Sequence, residues 1–287
     1  MQPIDIDQEL MDAAAEGSAA KVSELLACGA NPRKKNSCAL RWAAKSGHVE
    51  CISLLLPGSD PKALDCAALK LAARNGHAEC VRMLLPVSDQ KADDSYAIRI
   101  AASHGHVECV RLLLPVSDPK AIGSASLGVA AGRGYAECVR VLLQVSDARA
   151  NESEALRIAA KNGNLECVRL LVPVSDAKAV HSDALRSASA GGHMECVILL
   201  VPVSEPLGEI DELLEAVIEE GHAKVAALLI AEEPRLLDGV DVSRCLVAAR
   251  ERGCGDMESY LSSIIEQKAI LGVLPERPAR SPGLARL

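Results

Sequence analysis

One interval of 29 residues recurs in three unrelated registers along this chain and fixes most of what it can fold into. Apolar runs end in Pro at Pro57, Pro86, Pro115, Pro173 and Pro202, with Gln144 standing at the remaining step. Gly keeps the same spacing at Gly47, Gly76, Gly105, Gly134, Gly163, Gly192 and Gly221, and Cys at Cys51, Cys80, Cys109, Cys138, Cys167 and Cys196. A sustained period of about 20–50 residues marks a repeat architecture, in which each unit buries its apolar face against the next.

Each unit reads as two short helices. In Ser95 to Pro115, SYAIRIAASHGHVECVRLLLP, the hydroxyl of Ser95 is placed to accept from the free amides of a first turn. Ser37, Ser124, Ser153, Ser182 and Asp211 hold the equivalent position, with Cys66 the exception. Ile98, Ala101 and Ala102 give one apolar face at helical spacing, and Gly105 permits the turn into the second helix. That helix runs from about His106 to Leu114, where Pro115 helps to stop it because its nitrogen cannot donate onward. Helices of about ten residues are marginal alone in water, so stacking must supply their stability. The expectation is an all-α solenoid of about nine stacked helix pairs.

Composition agrees with thin, close-packed layers. Hydrophobic residues make up 49% of the chain, but aromatics only 1%, with no Phe. Ala, Leu, Val and Cys must therefore fill the interior. The apolar runs, such as Cys51 to Leu56, are too short to span a membrane, and no basic start followed by an apolar run suggests a secretory signal. The net charge of -8 argues against a dedicated nucleic-acid binder.

The segment GHVECVRLLL (105–114) and its copies resemble the second helix of the ankyrin repeat, and DAAAEGSAAKVSELLACGANP (12–32) resembles a whole ankyrin repeat running into its finger turn. The resemblance is strong over roughly 10–230 and weak over 237–265. Ankyrin repeats usually hold about 33 residues and open on Thr-Pro-Leu-His, whereas here the opening is CALR (38–41) or YAIR (96–99). The shortfall lies where ankyrins build a β-hairpin finger. VSDPKAIG (116–123) is too short for a full finger, so short loops or a single helical turn, and almost no strand, are expected there. The resulting organisation is a lead over 1–9, ankyrin-like repeats over 10–232, divergent acidic capping helices over 233–268 and a Pro/Arg-rich disordered tail over 269–287.

Several ladders look like chemistry. The eleven Cys include no Cys-x-x-Cys, and stacked helices stand about 8–10 Å apart, beyond the roughly 7 Å reach of a disulfide between Cα atoms. A linear ladder does not converge four ligands on zinc either. Buried thiols acting as small hydrophobes are expected, in a reducing compartment, read as cytoplasmic. His48, His77, His106, His193 and His222 follow the turn Gly, and Tyr135 and Asn164 take their place elsewhere, which suits a hydrogen bond to turn backbone. Glu79–Arg82, Glu108–Arg111, Glu137–Arg140 and Glu166–Arg169 read as solvated pairs one turn apart. Arg41, Lys70, Arg99, Arg157 and Arg186 form a basic ladder broken at Gly128, and Asp60, Asp89, Asp118, Asp147 and Asp176 a parallel acidic one. Inter-repeat ion pairs between the two are expected, and a basic strip for an acidic partner is the alternative. No GxSxG, GxxxxGK[ST] or HExxH occurs, so no catalytic, cofactor or metal residue is assigned and no enzyme activity is expected.

The resemblance implies that the two residues before each turn Gly line a concave surface. Here they vary: Lys45-Ser46, Arg74-Asn75, Ser103-His104, Gly132-Arg133, Lys161-Asn162, Ala190-Gly191 and Glu219-Glu220. Lys45, Ser46, Arg74, Asn75, Ser103, His104, Arg133, Lys161 and Asn162 are the candidate partner-binding residues, and the Gly/Ala stretch is expected to admit a partner backbone closely. Residues 205–268 hold 15 acidic and 6 basic side chains, in keeping with a polar capping unit. The resulting expectation is a monomeric scaffold for a protein partner, with no membrane role. The family allows an adaptor, an inhibitor of a partner enzyme, or a bacterial effector delivered into a host cell. The competing reading is nucleic-acid or acidic-ligand binding along the Arg/Lys ladder.

Overall fold

Every turn Gly in the structure, a computed structural model, sits in the left-handed region, at φ +82 for Gly47 and +77 for Gly76. The structure describes residues 5–88, 96–116, 119–205 and 213–271, with 119–124, 235, 238, 239 and 268–271 described through their backbone alone. The left-handed Gly ends the first helix of each pair, and the next amide closes the turn. His48 N–H donates to Ala43 O at 3.0 Å, as do its equivalents His77 to Ala72 and His106 to Ala101.

The chain forms two compact units, residues 1–188 with 195–205, and residues 189–194 with 206–287. In the first, α1 (Ile6–Glu16), α3 (Lys34–Ser46), α5 (Ala63–Arg74), α7 (Tyr96–Ser103), α9 (Pro119–Gly132) and α11 (Ala150–Lys161) pack successively into one layer. Their partners α2 (Ala19–Ala27), α4 (Val49–Leu55), α6 (Ala78–Leu84), α8 (Val107–Leu113), α10 (Ala136–Leu142) and α12 (Leu165–Leu171) form a second layer in the same order. One further pair, α13 (Ala179–Ala190) and α14 (Met194–Leu200), lies mostly in this unit. The other unit holds α15 (Leu213–Glu219), α16 (Ala223–Glu232), α17 (Val242–Glu251) and α18 (Gly255–Leu271), with α15 on α17 and α16 on α18. Nine helix pairs result, and no strand occurs among the described residues. α1 starts within the stretch read as a lead, capped by Asp5, whose carboxylate accepts from the amides of Asp7 and Gln8. Residues 272–287 of the tail lie outside the described residues.

The core runs between the layers. Leu40, Leu69, Ile98, Leu127 and Leu156 from the first helices meet Ile52, Leu55, Leu84, Leu113 and Leu142 from the second, all essentially inaccessible. Small Ala43, Ala44, Ala72 and Ala73 let the first helices approach closely. The second helices α4, α6, α8 and α14 run directly into short 3-10 turns containing their Pro, as at Leu56–Gly58 and Leu85–Val87.

The finger remnant departs from a simple loop. At Lys35–Ser37, Leu64–Cys66, Asn151–Ser153 and Val180–Ser182, in the first turns of α3, α5, α11 and α13, three consecutive residues adopt left-handed helical dihedrals before the right-handed helix continues. Such turns cost roughly 1–2 kcal/mol per non-glycine residue, so they need local support. The third amide of each returns to the carbonyl four residues earlier, as in Ser37 to Arg33 at 3.1 Å. The Ser read as helix caps serve a different purpose here. Ser37, Ser153 and Ser182 are buried, and their hydroxyls accept the amides of Asp60, Asp176 and Glu205, tying each turn to the following repeat at 2.8–2.9 Å. Ser95, Asp211 and the side chain of Ser124 lie outside the described residues.

Candidate functional site

The turn ends of the first helices combine two sets of side chains, and their bonding separates stacking residues from available ones. The His ladder is structural: His48, His77 and His106 direct Nε2 to the carbonyls of Ala15, Lys45 and Arg74 in the preceding repeat, at 2.9–3.0 Å. Those carbonyls belong to the last turn of a helix, where intrahelical partners run out. Asn164 does the same through Nδ2, to Ala131 O at 2.7 Å, and Arg252 reaches Glu219 O in the second unit. The turn Gly leaves room for the ring. A Cβ at Gly47 would lie 2.6 Å from His77 Nδ1, and one at Gly105 2.6 Å from Tyr135 Cδ1.

The expected pairing of the basic and acidic ladders is not what the structure shows. Asp60, Asp147 and Asp176 each turn their carboxylate onto the amide two residues ahead, at 2.9–3.0 Å, closing their own loops. Asp89 and Asp118 lie outside the described residues. Arg41 donates from Nε and Nη2 to the carbonyls of Asn36 and Lys35, bracing the left-handed turn. Lys70 and Arg99 each stand 5.4 Å from the Tyr96 ring, and Arg157 faces Asp183 at 3.9 Å. The Glu-x-x-Arg pairs form as read: Arg82–Glu79, Arg111–Glu108, Arg140–Glu137 and Arg169–Glu166 meet at 3.3–3.6 Å with both side chains exposed. The repeat-spaced Cys and Cys66 are all buried, and none is in a disulfide. Burial pushes the thiols of Cys80, Cys109, Cys138 and Cys167 up to about 11, which leaves them protonated and poor nucleophiles.

The candidate track divides. Lys45, Ser46, Arg74, Arg133 and Lys161 are exposed at the turn ends, with the Lys45 ammonium 4.4 Å above the Trp42 ring. Asn75 donates to Leu71 O at 2.8 Å and Asn162 to Gly132 O at 2.7 Å, so their amides already serve the backbone. Ser103 and His104 close a local ring around Ile100 O, and the His104 and His106 rings stack at 6.1 Å.

Beside the track runs a row that sequence reasoning missed: Trp42, Leu71, Ile100, Val129 and Ile158, again one repeat apart. Trp42 is 41% exposed and Val129 42%, and the other three are half-buried. A shared register at the ladder interval was the available signal. Where Gly128 breaks the basic ladder and Gly132 empties the track, a groove of about 490 Å³ opens, bordered by Val129, Arg133, Glu154 and Ile158.

Paired short helices, left-handed Gly turns and side chains that cap the preceding repeat define a helical-repeat solenoid. The ankyrin-repeat family model matches in three copies, over residues 10–95, 87–153 and 127–212, and the chain belongs to that family. A comparison with curated proteins found no match. Ankyrin repeats are generally protein–protein interaction modules, typically non-enzymatic. No described helix is long and apolar enough to cross a membrane.

Proposed function

We propose that this chain is an interaction scaffold that docks a protein partner on the first-helix face, the concave surface of ankyrin solenoids. The observation that carries the reading is the apolar row from Trp42 to Ile158, exposed at Trp42 and Val129 and half-buried between them and at Ile158. The His and Cys ladders are spent on stacking, whereas Trp42, Val129, Lys45, Arg74 and Arg133 remain at the surface. The groove beside Gly128 and Gly132 extends that surface and supports close approach of a partner backbone. Nucleic-acid binding along the Arg/Lys ladder has less support, because Arg157 faces Asp183 and a phosphate backbone offers nothing to the apolar row beside the ladder. Seven buried cysteines outside any disulfide fit a reducing compartment.

The test is affinity capture from the native cell with mass spectrometry, followed by titration of the captured protein against a Lys45→Glu/Arg74→Glu/Lys161→Glu variant. These exposed positions should tolerate reversal with little change in stability. Affinity should fall by about tenfold or more. Equal affinity for the variant would exclude this face as the docking site.

A further inference from the structure

The first-helix face is not uniform along the stack. Over residues 38–46, 66–75 and 96–104, the helical stretches of α3, α5 and α7 contain five basic residues, Arg41, Lys45, Lys70, Arg74 and Arg99, and no carboxylate. The equivalent stretches of α11 and α13 contain Glu154 and Asp183, and Arg157 meets Asp183. None of Arg41, Lys45, Arg74 and Arg99 pairs with a carboxylate among the described residues. Their contacts, where present, are backbone carbonyls and ring faces, which leave the charge uncompensated.

The apolar row runs beside those charges. On α3, Trp42 is adjacent in sequence to Arg41 and one turn from Lys45, and Leu71 on α5 stands in the same relation to Lys70 and Arg74. Ile100 on α7 follows Arg99. The Lys45 ammonium over the Trp42 ring holds a cation against the largest exposed apolar surface of the row. Consecutive repeats stand about 8–10 Å apart, and a polyproline-II segment advances about 3.1 Å per residue with three residues per turn, returning the same face about every 9 Å. A segment running along the stack would therefore meet one apolar position about every three residues, with its intervening side chains free to reach the basic rows.

We propose that the face of α3, α5 and α7 binds an acidic peptide segment whose apolar side chains rest on Trp42, Leu71 and Ile100 while its carboxylates meet Arg41, Lys45, Arg74 and Arg99. The proposal rests on the reading of the first-helix face as the protein-docking surface. It goes further by assigning the partner's chemistry and the repeats that select it. A phosphate backbone would match the charge but leave the apolar row without a counterpart, so a peptide is the better fit.

The experiment selects a displayed random-peptide library against the full-length chain, and titrates enriched peptides by the fluorescence of Trp42, the only Trp in the sequence. Enriched peptides should combine Asp or Glu with large apolar residues and change Trp42 emission on binding. They should weaken with added salt and lose about tenfold or more in affinity for a Lys45→Glu/Arg74→Glu variant. Circular dichroism and a charge-neutral Lys45→Met/Arg74→Met variant guard against a folding defect, and the neutral variant should fall between the two. Peptides that perturb Trp42 yet show no acidic bias and no sensitivity to charge reversal would overturn the acidic assignment but keep the docking face. Peptides that bind without touching Trp42 emission, indifferent to both variants, would overturn the docking face itself. An oligonucleotide bound with the same charge sensitivity, with no peptide enriched, would overturn the peptide class.

Discussion

Replacing Gly76 by Ala should uncouple two repeats, and the size of the effect can be built from the structure. Gly76 sits at φ +77, and a Cβ placed there would lie 2.6 Å from His106 Nδ1 and 2.8 Å from Cε1. The left-handed conformation costs Ala roughly 1–2 kcal/mol, of which a stiffer unfolded chain returns about 0.5–1 kcal/mol. The ring must also withdraw, breaking the 2.9 Å contact between His106 Nε2 and Arg74 O, at about 0.5–1.5 kcal/mol. A total of roughly 1–3 kcal/mol follows from these terms. His106→Ala removes the same hydrogen bond without the clash. The double variant should therefore cost less than the sum of the singles by about 1 kcal/mol. Gly29 supplies a control, because it lies at φ +91 with nothing within 4 Å of its added Cβ. Gly29→Ala should match Gly76→Ala measured in the His106→Ala background. Denaturant midpoints, compared at unchanged slope, give all of these values. Strict additivity of Gly76→Ala and His106→Ala would refute the ring-on-glycine account.

Two glycines on α9 should respond in opposite directions. A Cβ at Gly128 meets only Ile158 Cδ1, at 3.9 Å, whereas one at Gly132 would lie 2.5 Å from Ile158 Cγ2. Gly128→Ala should stabilise by about 0.5–1 kcal/mol through helix propensity, while Gly132→Ala destabilises; matching signs in thermal unfolding would contradict the packing described. Val180 is β-branched, exposed and left-handed at φ 52, so Val180→Gly should raise stability by up to about 1 kcal/mol. A lowered denaturation midpoint would show that the turn is not strained there. The buried thiols should make the fold alkali-sensitive. Their folded pKa, about 11 for Cys80, Cys109, Cys138 and Cys167, lies above the ordinary 9.0. Between those values the unfolded chain releases protons that the folded chain keeps, so stability should fall as pH rises through that window. Cys109→Ala should remove one thiol's share of the slope, and an unchanged slope would exclude Cys109 as a contributor.

The parts of this molecule that were legible in its sequence are those that every repeat must satisfy alike. Stacking demands a turn at Gly47 and its copies, a backbone-seeking side chain at His48 and a small buried group at Cys51, so each shows up as a ladder. The left-handed finger remnants were not legible, because Leu64 and β-branched Val180 disfavour positive φ and a lone Asp65 or His181 does not specify three such residues in a row. Their support comes from outside those three residues, through Lys178 O to the Ser182 amide and Ser182 Oγ to the Glu205 amide. The acidic loop residues misled for a related reason. Asp60 looks like a counter-ion in sequence, but it serves the amide of Lys62, and only the backbone path shows this.

The apolar row presents the converse problem. Ala39, Leu40, Trp42, Ala43 and Ala44 are five apolar residues in a six-residue stretch of α3, and sequence pattern alone assigns all five to the core. A first helix within the stack is covered by the helices before and after it and by its own second helix. Among the described residues no further helix packs closely on its remaining face, and Trp42 emerges there while Ala39, Leu40, Ala43 and Ala44 are buried. Apolar identity reports only that water is disfavoured, not whether this chain or another supplies the cover. In a ladder built for stacking, the side chain aligned with the period yet still exposed is therefore the most informative one. Trp42, with Lys45 above its ring, is where that criterion is met most fully.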